Sequence, residues 1–298
     1  MAIKNVLICG LGAVGITYAN KLNACSDLYI VADEDRISRY KTNPPILNGK
    51  PLKLNYFLPS DKLDIDLIII SVKSNGLKDA INYIENFVGE NTIIISLLNG
   101  ISSEEKLARK YGWNHVLHSY FIGHSAMREG NSVTQDGVGK IVFGSPYKEN
   151  TDKIKELKEF FQKGNINYEI PDDIMYSLWL KFAMNIFSNQ PSAIMDLTFG
   201  QLKTQEFKEF AKKIIAEVQQ IAEAEGIKGL NNFEKDCLKS LDLMVDNGKT
   251  SMLQDILAGR KTEVDIFAGE IIKLGKKHNL KTPYNQVMYD LIKLREEI

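Results

Sequence analysis

Six residues near the amino terminus, Gly10-Leu11-Gly12-Ala13-Val14-Gly15, restrict the fold more than any other part of the chain. They follow a short apolar run, Val6-Leu7-Ile8-Cys9, and lead into a segment, 13–24, whose apolar residues recur at helical spacing. A strand that stops on glycine and turns directly into a helix is the opening unit of a doubly wound sheet. Gly10 permits the turn, Gly12 lets a pyrophosphate approach the backbone with no Cβ between them, and Gly15 lets helix and strand pack closely. Backbone amides of the loop and helix start, at Leu11, Ala13 and Val14, then face the phosphates. Glycine-rich turns are common, so the spacing alone is weak. Here an acid, Asp33, ends the next apolar run 18 residues beyond Gly15, and loop plus acid is what a dinucleotide needs.

The same rhythm continues to about residue 125. The runs Leu28–Ala32, Asp66–Val72 and Thr92–Gly100 are five to nine residues long and largely apolar on both faces, as buried parallel strands require. Helix-compatible segments at 76–87 and 102–110 alternate with them. Two of these runs end in polar residues that can reach a ligand at the strand ends: Ser71-Val72-Lys73 and Leu98-Asn99-Gly100. Turn signals at Glu129-Gly130-Asn131 and Asp136-Gly137 predict an antiparallel hairpin added to the edge of the sheet. A helix over 151–163 and a short strand at 167–170 follow. Beyond Pro171 nearly everything reads as helix: 173–188, 204–226, 232–246, 262–278 and 284–297. The expected organisation is an α/β dinucleotide-binding domain over 1–170 and an all-α substrate and catalytic domain over 171–298.

Bulk composition narrows the partners. With 37 basic and 38 acidic residues the chain has no field that would attract nucleic acid, so a small uncharged or singly charged molecule is the expected partner. Cys9, Cys25 and Cys237 are unpaired in spacing and the four histidines show no ligand pattern, so neither a metal site nor a disulfide frame is expected. No stretch approaches about 18 apolar residues. The expectation is a soluble, cytoplasmic chain with no membrane contact.

Chemistry gathers in the second half. Lys181, Asn185 and Asn189 stand at i, i+4 and i+8, one face of a regular helix whose other residues, such as Phe182, Ile186 and Phe187, are apolar. A lone lysine there reads as a surface residue with its stem along the helix. Two amides aligned with it read as a site, because such a stripe is costly to bury without partners. Hydride delivery to a ketone places negative charge on oxygen and calls for a proton donor, the role that suits Lys181. Asn185 and Asn189 can bind hydroxyl or carboxylate oxygens. In Ser251–Asp265 the helical pattern breaks at Gly259; Ser251 can bind a substrate carboxylate from a helix end, and Glu263 can pair with Lys181 or position a nicotinamide amide. Asp255 and Arg260 are expected as an internal ion pair, and Ser251 and Glu263 in the same cleft as Lys181.

The glycine loop, Lys73, Leu98-Asn99-Gly100, Lys181-x-x-x-Asn185-x-x-x-Asn189 and Ser-Met-Leu-Gln-Asp-Ile-Leu-Ala-Gly-Arg-Lys-Thr-Glu-Val-Asp together resemble the ketopantoate reductase (2-dehydropantoate 2-reductase) family along nearly the whole chain. The resemblance implies a Rossmann-type α/β domain followed by a helical bundle like the C-terminal domain of 6-phosphogluconate dehydrogenase. It implies reduction of the 2-keto acid 2-dehydropantoate to (R)-pantoate in pantothenate biosynthesis, with NADPH or NADH. Carried over by residue, Lys181 is the proton donor and Glu263 a second catalytic group; Asn99, Asn185, Asn189 and Ser251 are substrate ligands; Lys73, Asn99, Ala126 and Glu263 lie near the cofactor.

Two positions depart from the family pattern. Members that use NADPH commonly carry Arg where this chain has Asp33, and a carboxylate accepts from ribose hydroxyls but repels a 2′-phosphate, which tips the cofactor towards NADH. Arg36 and Arg39 follow closely, and an Arg swung over the ribose can neutralise a phosphate. A substrate-contacting Asn expected just before Gly200 is Phe199 here, after a one-residue insertion around Gln190. Both features suit NADH-dependent D-2-hydroxyacid dehydrogenases of ketopantoate reductase type, which take branched-chain or aromatic 2-keto acids. A dinucleotide sensor without turnover would keep the loop and lose the second set of residues, all of which are present. The helical half can also supply a homodimer face.

Overall fold

The computed structural model describes residues 2–123, 125–137 and 139–298, with the side chains of 125–127 and 136 outside the description. Two compact units divide the chain, Met1–Ile174 and Met175–Ile298. In chain order the first contains β1 (Asn5–Cys9), α1 (Ala13–Leu22), β2 (Asp27–Val31), α2 (Glu34–Thr42), β3 (Ile46–Leu47), β4 (Lys50–Pro51), β5 (Asn55–Phe57), β6 (Ile65–Ile70) and α3 (Leu77–Tyr83). It continues with β7 (Val88–Ser96), α4 (Ser103–Tyr111), β8 (Val116–Ile122), β9 (Ser125–Glu129), β10 (Ser132–Asp136), β11 (Lys140–Gly144), α5 (Thr151–Lys163) and β12 (Tyr168–Glu169).

The main sheet has eight strands in the order β12-β11-β8-β7-β6-β1-β2-β5. From β8 to β5 every neighbour is parallel, with β6 on one side of β1 and β2 on the other. The chain order therefore reverses beside β1, the place where ligands of such sheets gather. Strand periodicity sorts the β1 side chains: Val6 and Ile8 enter one core with α1 and α5, Leu7 and Cys9 the other with α3 and α4. Each of these buried aliphatic side chains contributes about 1.5–3 kcal/mol, and both faces must be covered for the parallel sheet to persist.

The predicted hairpin is placed differently from its expectation. β9 and β10 do pair antiparallel around Gly130, whose φ is 59°, but they belong to a separate four-stranded sheet, β4-β3-β10-β9. Leu47 of β3 and Val133 of β10 are buried in the same core as Ile16 and Leu22 of α1, so this small sheet covers α1. The antiparallel strand that joins the main sheet is β11, against β8. Turn residues announce where a chain reverses; which apolar surface the reversed strands cover is a tertiary choice.

The second unit is helical: α6 (Ile174–Met184), α7 (Gln190–Met195), α8 (Gln205–Ala224), α9 (Phe233–Asp242), α10 (Ser251–Leu257), α11 (Ala268–His278) and α12 (Pro283–Arg295). Its longest helix, α8, buries Ala211, Ile214, Ile215, Val218, Ile221 and Ala222 at helical spacing. Glu217 of the same helix accepts from the amides of Tyr284 and Asn285, capping α12 with a buried carboxylate. The regular helix expected over 173–188 is corrected here: α6 ends at Met184, Asn185–Asn189 form a π-helical turn, and α7 carries the helix on to Met195. The helix expected from 262 starts at Ala268, after a 3₁₀ turn at Val264–Ile266. No described helix is long and apolar enough to cross a membrane, and no group of His, Cys, Asp or Glu among the described residues is placed to hold a metal ion.

Candidate active site

At the sheet's C-terminal rim, the glycine loop is held from below. Gly10 has φ 107°, and a Cβ there would stand 2.7 Å from the Ser71 carbonyl carbon. Ser71 Oγ donates to the Gly10 carbonyl at 2.7 Å, tying the ends of β1 and β6 together. A Cβ on Gly15 would come within 2.1 Å of the Gly10 oxygen, which no relaxation of a side chain relieves. Gly12 differs: an added Cβ would meet only the Ser71 carbonyl oxygen, at 3.6 Å, an ordinary contact. The protein's own packing thus explains Gly10 and Gly15 and leaves the space above Gly12 open. The start of α1 has no side-chain cap and no acid in its first turn, whereas α2 is capped by Asp33 and begins with Glu34 and Asp35. Uncapped amides beside an open glycine fit a pyrophosphate.

Asp33 lies just past the end of β2 and is the N-cap of α2. Its Oδ1 accepts from the Arg36 amide at 2.8 Å, and Oδ2 lies 3.4 Å from both Tyr83 Oη and Arg36 Nε. Lys73 is exposed after β6, and Asn99 is half-buried in the loop after β7. With Gly10, they line successive strand ends in the order β7, β6, β1. Ala126 pairs with Gln135 in the β9–β10 ladder; its side chain lies outside the described residues.

Within the helical unit, sequence accounts for the break at Asn185. Pro191 has no N–H to offer the carbonyls of Phe187 and Ile186, four and five residues before it, so a regular helix cannot run through. Local side chains take over. Gln190 Nε2 donates to the Ile186 carbonyl at 3.0 Å, and Ser188 Oγ to that of Met184 at 2.6 Å. A wider turn of this kind recurs at functional sites. The i, i+4, i+8 stripe is consequently not straight: the step from Asn185 to Asn189 spans the π turn.

Lys181 Nζ donates to Asn185 Oδ1 at 3.1 Å, and burial pulls its ammonium down to about 8. Asn185 is only 4% exposed, and its Nδ2 has no hydrogen-bond partner among the described residues. Such a donor costs free energy unless something arrives to accept from it. Asn189 Nδ2 lies 3.5 Å from Ser251 Oγ, so the first residue of α10 stands beside the π turn. Thr250 caps α10 through the Leu253 amide and donates to Ser192 Oγ at 3.0 Å, which fixes Ser251 relative to α7. Arg260 Nε and Asp255 Oδ1 form the expected pair at 2.7 Å, and Gly259 takes φ 62°. Glu263 is half-buried at the start of the 3₁₀ turn. Phe199 follows α7; its amide donates to the Gly248 carbonyl, and its ring lies against Gly248, two residues before Thr250.

Two groups carry no signal in the sequence. Arg128 Nη1 donates to the Leu11 carbonyl at 2.9 Å, bringing a guanidinium to the glycine loop from β9. Tyr83 reaches Asp33 from α3. Neither has a spacing signal, because the partners are brought together by the fold across long stretches of chain.

Family models match both units. Residues 6–147 match the model "Ketopantoate reductase PanE/ApbA", and residues 173–296 match "Ketopantoate reductase PanE/ApbA C terminal". The 2-dehydropantoate 2-reductase of Pyrococcus horikoshii is 28% identical over 300 residues, and that of Streptococcus pyogenes serotype M6 25% over 302; each alignment covers 98% of both chains. In fold, the chain is similar to D-mandelate dehydrogenase solved with NADH and anilino(oxo)acetate, with a TM-score of 0.86 at 24% identity over 98% of both chains.

Proposed function

Because the chain belongs to the ketopantoate reductase family of NAD(P)H-dependent 2-keto acid reductases, we propose that it reduces 2-dehydropantoate to (R)-pantoate, with Lys181 as proton donor. The observation that carries this reading is the Lys181–Asn185 pair beside the unpartnered Asn185 Nδ2. An ammonium held near 8 is still protonated at neutral pH, yet acidic enough to give its proton to a developing alkoxide. Asn185 Oδ1 keeps Nζ in place while Nδ2 donates to a substrate oxygen. Asn189 and Ser251 take the carboxylate and hydroxyl groups, and Glu263 is a second charged group for Lys181 or the cofactor.

Reduced nicotinamide, when bound, supplies the hydride. Gly10 to Gly15 receive the pyrophosphate, with the space over Gly12 as its seat; Asp33 accepts from the ribose; Lys73, Asn99, Ala126 and Glu263 border the cofactor. Asp33 favours NADH over NADPH, because its carboxylate stands at the end of β2 where a 2′-phosphate would be repelled. Hydride goes to the carbon and the proton to the oxygen of the substrate carbonyl. Tyr284, Val287, Leu291 and Leu294 are exposed at helical spacing on α12 and support a homodimer.

A second reading, an NADH-dependent D-2-hydroxyacid dehydrogenase for branched-chain or aromatic 2-keto acids, is favoured by Phe199, whose ring lies against the segment leading to Ser251. Initial rates with 2-dehydropantoate, 2-oxoisovalerate, 2-oxoisocaproate and phenylpyruvate, each with NADH and NADPH, separate the two. A kcat/KM preference for 2-dehydropantoate supports the first. Preference for phenylpyruvate or 2-oxoisocaproate would replace it with the second, and no turnover with any acid would leave a dinucleotide sensor.

A further inference from the structure

Among the described residues of the α/β unit, one carboxylate is buried: Glu104, in the first turn of α4, 2% exposed. Hydride and proton transfer as described above make no use of it. Removing a carboxylate from water is costly, and an apolar residue would fill the same space without that cost. Its contacts lead to the loop that carries Asn99.

Ser103 Oγ donates to Glu104 Oε2 at 2.8 Å, and Ser96 Oγ lies 2.8 Å from Ser103 Oγ. An ionised carboxylate can only accept, so Ser103 must give its proton to Glu104, and Ser96 must then give its own to Ser103. The Ser96 oxygen is left to accept from the Leu98 amide, 3.4 Å away. From β8, Ser119 Oγ accepts from the Ser96 amide at 2.9 Å and donates to the Ser96 carbonyl at 2.8 Å, while the Ser119 amide faces Glu104 Oε1 at 3.4 Å. Ser96 is the last residue of β7, and Leu98 immediately precedes Asn99. Two hydroxyls with one enforced direction therefore run from the buried carboxylate to the start of that loop, and Ser119 braces the Ser96 backbone beside them.

We infer that Glu104 is a positioning residue: through the hydroxyls of Ser103 and Ser96 it orients the Leu97-Leu98-Asn99 turn, and with it the Asn99 amide. This rests on the reading of Asn99 as a ligand contact. Burial pushes the Glu104 carboxyl up to about 7. Protonated, it becomes a donor towards Ser103 and the enforced direction is lost, so the turn loosens as pH falls through 7. The charged groups on the surrounding elements do not compete. Glu90 of β7, Lys78 and Asp79 of α3, and Glu105, Lys106, Arg109 and Lys110 of α4 are exposed. His118 of β8 is buried, stacks on Trp113 at 4.8 Å, and is kept neutral by burial, which pulls it down to about 4.

The test is NADH binding by the full-length chain without keto acid, followed by cofactor fluorescence from pH 5.5 to 9, with melting temperatures at each pH. Without keto acid there is no turnover, so the proton step at Lys181 is kept out of the readout. Wild type should bind about tenfold more weakly below the inflection near 7 than above it. Glu104→Gln should remove the inflection. Ser103→Ala, which keeps the carboxyl and cuts the chain of hydroxyls, should do the same and carries the test if Glu104→Gln does not fold. Wild-type pH dependence in both variants would overturn the inference, as would a loss of melting temperature with no change in the binding profile. Asn99→Ala separates the two levels. If it leaves NADH affinity and the keto-acid KM unchanged, the reading of Asn99 fails and the inference with it. If it weakens NADH binding or raises the keto-acid KM while Ser103→Ala and Glu104→Gln follow wild type, only the inference fails.

Discussion

The glycine loop and the Lys181–Asn189 segment are held by opposite means. Around Gly10 and Gly15 the backbone is packed against itself so closely that one added carbon collides with a main-chain oxygen. Around Asn185 the backbone departs from its regular form, and the side chains of Ser188 and Gln190 donate to the Met184 and Ile186 carbonyls. The first region is accurate because it has no slack. The second is held by side chains at one wide turn, and Asn185 Nδ2 and Gln190 Oε1 are left without hydrogen-bond partners among the described residues.

The sharpest way to break this comparison is inside the loop. Gly15→Ala, with its Cβ 2.1 Å from the Gly10 oxygen, should cost on the order of 4 kcal/mol or more and yield little folded protein. Gly12→Ala should melt within about 2 °C of wild type yet bind dinucleotide at least roughly tenfold more weakly. Thermal melts and cofactor titration of the pair check this; wild-type affinity in Gly12→Ala would mean that the open space is not a phosphate seat.

In the helical region, Lys181→Met should lower kcat by about 10²–10⁴-fold while raising the melting temperature by roughly 2–4 °C, since a half-buried, desolvated cation is replaced by an apolar side chain of similar length. The pH dependence follows from the direction of the shift. A lysine whose folded value is depressed from 10.5 to about 8 binds fewer protons folded than unfolded between those values. Its destabilising effect is therefore full below 8 and fades as pH rises towards 10.5, and the advantage of Lys181→Met should shrink across that window. In wild type, kcat for reduction should fall as pH rises through about 8, where the donor loses its proton. Melting and rate profiles that move the other way would remove Lys181 from the donor role.

Smaller in effect, and aimed at the π turn, is deletion of Gln190. With one residue fewer, the segment should relax towards a regular helix and rotate Asn189 relative to Asn185, and kcat/KM should fall by about 10²-fold through misplacement alone. Far-UV circular dichroism should be nearly unchanged, since α6 and α7 persist. Unaltered kinetics would show that the wide turn is a packing accommodation with no bearing on the site.

Much of this was legible in the chain itself. The strand, loop and helix at 5–22 are encoded by neighbours in sequence: a β-branched run, a glycine that turns, and apolar residues at helical steps. The same is true of α5, α8 and α12, and of the Asp255–Arg260 pair, which lies five residues apart. The hairpin at 125–136 was legible as a reversal but not as part of a second sheet, because its apolar residues do not say which surface they cover. Likewise, the four-residue spacing of Lys181, Asn185 and Asn189 suggested a straight stripe. Pro191 carried the contrary signal, and its effect depends on which carbonyls it leaves without a donor.

What sequence alone determined, then, is whatever short-range sterics and periodicity decide: the α/β half, the helical half, and the residue types able to hold a dinucleotide and protonate a ketone's oxygen. Tertiary structure decided the rest. It brought Arg128 of β9 to the Leu11 carbonyl, Tyr83 of α3 to Asp33, Ser251 to Asn189, and the Ser96–Ser103–Glu104 chain to the base of the Asn99 loop. Except for the last, whose members lie on adjoining elements, these partners are separated by 50 to 117 residues. A hydrogen bond acts over about 3 Å and leaves no periodic trace in the chain, so only the packing of one element against another can reveal it.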